Sequence, residues 1–168
     1  MKKYIAEGVG TMMLTLIACG VAVIVGNIIT SSLAFGLVIV AAAYSIGNVS
    51  GCHINPAVSI SMVVAGKMEV KECIKYIISQ VIGAFAGSLL LALCLNSFDA
   101  LGANGYGSML GTTEVTMRIA LLVEVILTFI FTTTILGVTD KKENGHVTGI
   151  VIGLTLVSIG TSMPELSA

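Results

Sequence analysis

The residues with the most chemical potential sit in one short stretch, Gly51-Cys52-His53-Ile54-Asn55-Pro56-Ala57. Asn and Pro in succession are strong helix-start residues, Asn as the N-cap and Pro at the first helical position. The amide of Asn55 has an NH₂ that can donate to a passing oxygen, and extended backbone over 51–54 would offer carbonyls to the same file of guests. The start of a helix concentrates about half a positive elementary charge, which opposes the passage of cations. This is the chemistry of hydrogen bonding and selection, not of bond making. No nucleophile with an adjacent base, no phosphate-binding glycine loop and no metal-ligand cluster is evident, so an enzyme, a resident metal or a cofactor is not expected. His53 is read as a ring that holds its own loop by hydrogen bonding to nearby backbone. His146 is read as a solvated residue, with a gate as the alternative. Glu7 and Glu124 lie inside apolar runs, where an acid is costly and functionally suspect. Each either relays protons or accepts hydrogen bonds from the backbone of a nearby loop.

The elements that must position these residues follow from composition. Of the 168 residues, 56% are hydrophobic and 10% charged, and the mean hydropathy is +1.05. Soluble domains carry roughly 25% charged residues, and a water-facing surface cannot be made from so few. The apolar residues form long runs, several reaching the ~20 residues that cross a ~30 Å hydrocarbon core. The net charge is −1, without a basic or acidic block, so nucleic acid is not an expected partner. The four cysteines, Cys19, Cys52, Cys73 and Cys94, have neither zinc spacing nor a secreted disulfide pattern. The start, Met1-Lys2-Lys3 and an apolar run, has features of a signal peptide. Glu7 interrupts it early and the run continues to Gly26, so it is expected to be a retained first span.

Five spans are expected, at about 4–26, 31–50, 70–95, 115–139 and 147–163, in an all-α membrane protein forming a single transmembrane domain over 1–168. The apolar segment 55–66 is different. At 1.5 Å per residue it is ~18 Å long, about half a bilayer, so a re-entrant half-helix is expected; an amphipathic surface helix is the alternative. Lys2, Lys3, Lys67, Lys71, Lys75, Lys141 and Lys142 fall on one side of this arrangement and Arg118 on the other. The positive-inside rule then puts the N-terminus in the cytoplasm and returns the half-helix to the face it entered from.

An internal repeat underlies the spans. Glu7 and Glu124 are 117 positions apart, and so are Gly36-Leu37-Val38-Ile39-Val40 and Gly153-Leu154-Thr155-Leu156-Val157. A unit of two spans, a half-helix and a third span contains an odd number of crossings, so its second copy is inverted in the membrane. Residues 1–95 would be a complete first repeat and 115–168 a shortened second one. The offset carries Asn55 to position 172, beyond Ala168, with Ser167 matching Ser50. The expected architecture is thus an incomplete inverted-repeat bundle, cut before its second half-helix.

The segment Ser50-Gly51-Cys52-His53-Ile54-Asn55-Pro56-Ala57-Val58-Ser59, with Glu7 upstream and Ala34-Phe35-Gly36-Leu37 in the second span, resembles the first Asn-Pro-Ala box of the aquaporins, the major intrinsic protein family. The stretches Gly102-Ala103-Asn104-Gly105-Tyr106-Gly107 and Thr139-Asp140-Lys141 extend the resemblance along the chain. It implies a passive plasma-membrane channel for water or small neutral solutes such as glycerol, without cofactor, assembled as a homotetramer. Asn55, Pro56 and Ala57 would form the pore box, and the backbone of Gly51, Cys52, His53 and Ile54 would line the pore. Phe35 and Gly160 would stand at the selectivity constriction, where a small residue at 160 leans towards small solutes, and Glu7 and Glu124 would be structural acids. The competing expectations are a non-conducting channel fragment and a proton-coupled transporter using Glu7 and Glu124. The pairs Gly83/Gly87 and Gly149/Gly153 would let helices approach closely, within or between subunits.

Overall fold

The computed structural model describes residues 1–99, 101–102, 109–110, 113–114, 116–140 and 142–162. The outer-loop stretch 103–107, Lys141 and Ser167 lie outside the described residues. The first span runs over Lys2–Val25 as α1 (Lys2–Met13), a π-helical segment (Leu14–Cys19) and α2 (Gly20–Val25). It stops where Gly26 turns left-handed, at φ +59°. The second span, α3 (Ile28–Ser50), starts on Asn27, whose side chain accepts from the amides of Ile29 and Thr30. After it come α4 (Pro56–Val64), α5 (Val70–Leu95), an antiparallel pair of two-residue strands β1 (Met109–Leu110) and β2 (Thr113–Glu114), α6 (Met117–Asp140), a 3₁₀ turn (Lys142–His146) and α7 (Thr148–Ser162).

Four of these elements are long and apolar enough to cross a membrane: Lys2–Val25, Ile28–Ser50, Val70–Leu95 and Met117–Asp140. Between 17% and 33% of the apolar window of each is buried, so most of their apolar surface faces outward, as a lipid-facing wall requires. The fifth expected span is helical over the 15 residues of α7, about 22 Å of rise. The half-length segment is shorter than its apolar run suggests. Its helix α4 covers 9 residues, about 14 Å. Gly66, at φ +68°, ends it. The amide of Lys67 bonds the carbonyl of Met62 at 2.8 Å and that of Gly66 bonds Val63 at 2.9 Å, a glycine-terminated helix end.

The helices meet through small residues. A Cβ on Gly83 would run into the carbonyl of Gly8, and one on Gly87 would lie 2.6 Å from the carbonyl of Met12. These two glycines therefore bring α5 against the first span within one chain. The second pair does the same for α3 and α7. A Cβ on Gly36 would lie 2.5 Å from the carbonyl of Gly153, and one on Gly153 would lie 2.6 Å from that of Gly36. The buried cluster of Ile39, Ala42, Ile54, Val58, Met62, Phe131 and Ile135 joins α3, α4 and α6. The half-helix is thus wedged among long helices, also touching α5, rather than lying on a surface.

Candidate functional site

The loop between α3 and α4 takes a shape that few side chains tolerate. Gly51, Cys52 and Ile54 have φ of +86°, +53° and +40°. Left-handed backbone at a non-glycine residue costs about 1–3 kcal/mol and persists only where the surroundings over-determine it. Glu7, fully buried, does much of this. Its carboxylate accepts from the amide of His53 at 2.9 Å, the amide of Ile54 at 2.7 Å, the hydroxyl of Ser50 at 2.6 Å and the amide group of Gln80 at 2.8 Å. All four contacts are donors, the complement of a carboxylate, which only accepts. Hydrogen bonds to a charged group contribute about 1.5–3 kcal/mol each, so four of them offset a desolvation penalty of several kcal/mol. Tyr76 adds a hydrogen bond to the carbonyl of Ser50 at 2.7 Å.

This arrangement sorts the backbone polarity of the loop. The amide of Gly51 is taken by the carbonyl of Gly47, that of Cys52 by the hydroxyl of Ser50, and those of His53 and Ile54 by Glu7. No donor among the described residues reaches the carbonyls of Gly51, Cys52, His53 or Ile54. All four residues line a cavity of about 780 Å³, together with Asn55. The donors are spent inward and the acceptors are left for what fills the cavity. Asn55 caps α4 by accepting from the amide of Ala57 at 2.8 Å, which leaves its NH₂ uncommitted at the cavity wall. The ring of His53 is held through Nδ1, 3.1 Å from the hydroxyl of Ser59.

Phe35 and Gly160 line the same cavity. A Cβ on Gly160 would strike the hydroxyl of Ser32, so this glycine also has a packing reason to be small. Glu124 lines the cavity and a second hollow beside Ala57 and Thr128. It is exposed, and no hydrogen bond or ion pair reaches it among the described residues. The two acids that share one spacing thus have different surroundings here. His146 is exposed in the 3₁₀ turn, and its carbonyl accepts from the hydroxyl of Tyr44 at 2.7 Å. Pro56 occupies the first turn of α4. All four cysteines are free, and no group of three metal-ligating side chains occurs among the described residues.

The profile of the major intrinsic protein family matches residues 1–167. The chain belongs to that family. It is 39% identical to Aquaporin Z of Rhodopseudomonas palustris over 170 aligned residues, covering 94% of this chain and 70% of the relative. It is 38% identical to the glycerol uptake facilitator protein-like 6 of Lactiplantibacillus plantarum, covering 93% and 72%. The crystal structure of the aquaglyceroporin from Plasmodium falciparum superposes with a TM-score of 0.83 at 24% identity, over 98% of this chain and 73% of that one. The all-helical bundle with a wedged half-helix is therefore the aquaporin fold.

In this major intrinsic protein, two participants in the loop network lie outside the motif read from the sequence, Tyr76 and Gln80 on α5, while Ser59 on α4 ends that motif. Tyr76 and Gln80 are four residues apart and share a helix face. A lone Gln in an apolar span is the signal that could have found this face, because a buried amide needs partners. The π-helical segment Leu14–Cys19 left no trace in the hydropathy.

Proposed function

We propose that the chain forms a passive transmembrane pathway for water, which also admits small neutral solutes of the size of glycerol. The observation that carries this reading is the sorting of polarity at 51–55. Four carbonyls and one NH₂ without a partner among the described residues stand in an otherwise largely apolar cavity, at the start of a helix. Such a wall replaces part of the hydration of a neutral guest, while the positive end of α4 opposes cations. The names of the relatives agree with a water or glycerol pathway. Asn55, Pro56 and Ala57 form the pore box, Gly51, Cys52, His53 and Ile54 its backbone wall, and Phe35 and Gly160 the constriction. Glu7 is the acid that holds the loop; Glu124 is its repeat-related counterpart. The reciprocal approach of Gly36 and Gly153, 117 positions apart, supports a first repeat over 1–95 and a second, inverted one over 115–168. The lysines of α1 and of the α4–α5 connection support a cytoplasmic N-terminus in the cell membrane. A homotetramer follows from family membership alone.

The test is osmotic shrinkage of liposomes holding the 168-residue chain, followed by stopped-flow light scattering. Water flow faster than in empty liposomes, with a low activation energy, is expected. Asn55→Asp keeps the cap but removes the NH₂ and adds a negative charge at the cavity wall, so it should change both the flow and the exclusion of cations. Flow equal to that of empty liposomes, with the protein shown to be inserted, would mean that the chain does not conduct.

A further inference from the structure

Gln80 lies in the third span, away from the cavity lining, and is 1% exposed. Its amide nitrogen donates twice, to Glu7 Oε2 at 2.8 Å and to the hydroxyl oxygen of Ser59 at 3.1 Å. One atom thus ties the first span to the half-helix. Its amide oxygen is buried without a partner among the described residues. Flipping the amide would not help, because the oxygen would then stand 2.8 Å from a carboxylate oxygen. The amide is therefore locked with both donors facing the network and an orphaned acceptor behind. A buried polar atom without a partner is rare. What this position supplies is two donors on one uncharged atom, and among uncharged side chains only Asn and Gln have them.

The consequences run through Ser59, which is fully buried. Its oxygen accepts from Gln80, and it has one hydrogen of its own. Two groups can take that hydrogen, the carbonyl of Asn55 at 3.4 Å and, in the tautomer that leaves it unprotonated, Nδ1 of His53 at 3.1 Å. Both residues stand on the cavity wall. With Gln80 in place, Ser59 is satisfied whichever acceptor it serves. Without Gln80, both Ser59 and Glu7 lose a donor, on the two sides of the left-handed turn at Cys52 and Ile54.

We propose that Gln80 is a positioning residue for the water pathway, holding His53 and Asn55 at the cavity wall through Ser59 and Glu7. The proposal rests on the channel reading for its function and on the hydrogen-bond geometry for its mechanism. Two readouts separate them.

The first readout is the reaction of the Cys52 thiol with a small water-soluble maleimide. It is measured on the full chain in liposomes, with Cys19, Cys73 and Cys94 replaced by Ala. Losing a hydrogen bond to a charged group shifts a local equilibrium by roughly tenfold or more. Gln80→Leu is therefore expected to raise the Cys52 labelling rate about tenfold and to lower osmotic flow. The second readout is the pH profile of Gln80→Glu. When protonated, the new carboxyl donates once, to Glu7, and keeps one of the two donations of Gln80, so it should label between wild type and Gln80→Leu. When ionised, it repels Glu7 and should behave like Gln80→Leu. The titratable groups facing this position are Glu7 from the first span, His53 from the loop and Tyr76 from α5 itself. Wild type and Gln80→Leu, taken through the same pH range, remove their contributions. A pH step in labelling that is specific to Gln80→Glu is expected, and it keeps the test open if Gln80→Leu fails to insert. The proposal is overturned if both variants label like wild type, or if Gln80→Glu has no step of its own. If wild type does not conduct while labelling follows the expected pattern, the positioning role stands and the channel reading falls. If wild type conducts and labelling is indifferent to Gln80, the reverse holds.

Discussion

Glu7 carries more of the local architecture than any other single side chain described. Its carboxylate collects donors from three separate elements: α3 through Ser50, the loop through His53 and Ile54, and α5 through Gln80. Glu7→Gln keeps the size but turns one acceptor oxygen into a donor. At least one of the four partners is then left facing an NH₂, and a buried donor without an acceptor costs about 1–3 kcal/mol. The variant should unfold at lower temperature in detergent and label faster at Cys52. Glu124→Gln, at an exposed and unpaired carboxylate, should leave thermal stability unchanged within about 0.5 kcal/mol. At this scale the sequence was informative in an uneven way. An acid in an apolar run and an Asn-Pro pair are conspicuous because they break a pattern. The partners on α5, Tyr76 and Gln80, were not legible, since a single polar side chain in a long apolar run does not say what it faces. The left-handed turn at Cys52 and Ile54 was equally hidden, because neither residue type favours φ > 0.

At the scale of elements, glycine separates two kinds of helix face. Gly83 and Gly87 have backbone atoms of the first span where a Cβ would go, and backbone cannot rotate away. Gly83→Ala should force α5 off α1 and cost about 1–3 kcal/mol. Gly137, on α6, has nothing within 4 Å of its would-be Cβ. Gly137→Ala should therefore stabilise α6 by up to about 1 kcal/mol, from helix propensity alone. Thermal unfolding of the two variants in the same detergent distinguishes packing from propensity, and a loss at both positions would contradict the assigned faces. The spans themselves were legible as long apolar runs, four of them long enough to cross a membrane; the second starts at Ile28 rather than at 31 because Asn27 caps it. The half-helix was legible in its start, from Asn55-Pro56, but its end was placed two residues late because Ala65 and Gly66 continue the apolar composition. The π-helical segment had no compositional mark.

In the molecule as a whole, α4 packs against α3, α5 and α6. The lysines gather at the end of the bundle where α1 starts and α4 ends: Lys2, Lys3, Lys67, Lys71 and Lys75. Lys67 reaches Asp140 at 3.2 Å, and Lys3 pairs with Glu72, which ties that end of α6 and α5 into the same face. A membrane-impermeant thiol reagent should then label Lys71→Cys only from the cytoplasmic side and Asp99→Cys only from the opposite side, in a background without the native cysteines. Labelling of both from one side would exclude the five-crossing arrangement. Class was open to reading at this scale because composition dictates a lipid-facing exterior, whereas the cavity lies among α3, α6, α7 and the 51–55 loop, an arrangement no local pattern encodes.

The network that holds the half-helix also has a direction in time. Its two holders, Glu7 and Gln80, lie on either side of it in the chain, so during synthesis the first emerges before the loop and the second after it. A strained segment with four unpaired carbonyls is intolerable in hydrocarbon on its own. Its placement at membrane depth must therefore wait for α5 to be made and to arrive. The third span acts as a latch on biogenesis as well as a wall of the finished protein, and chains arrested before residue 80 should keep the half-helix at the water interface.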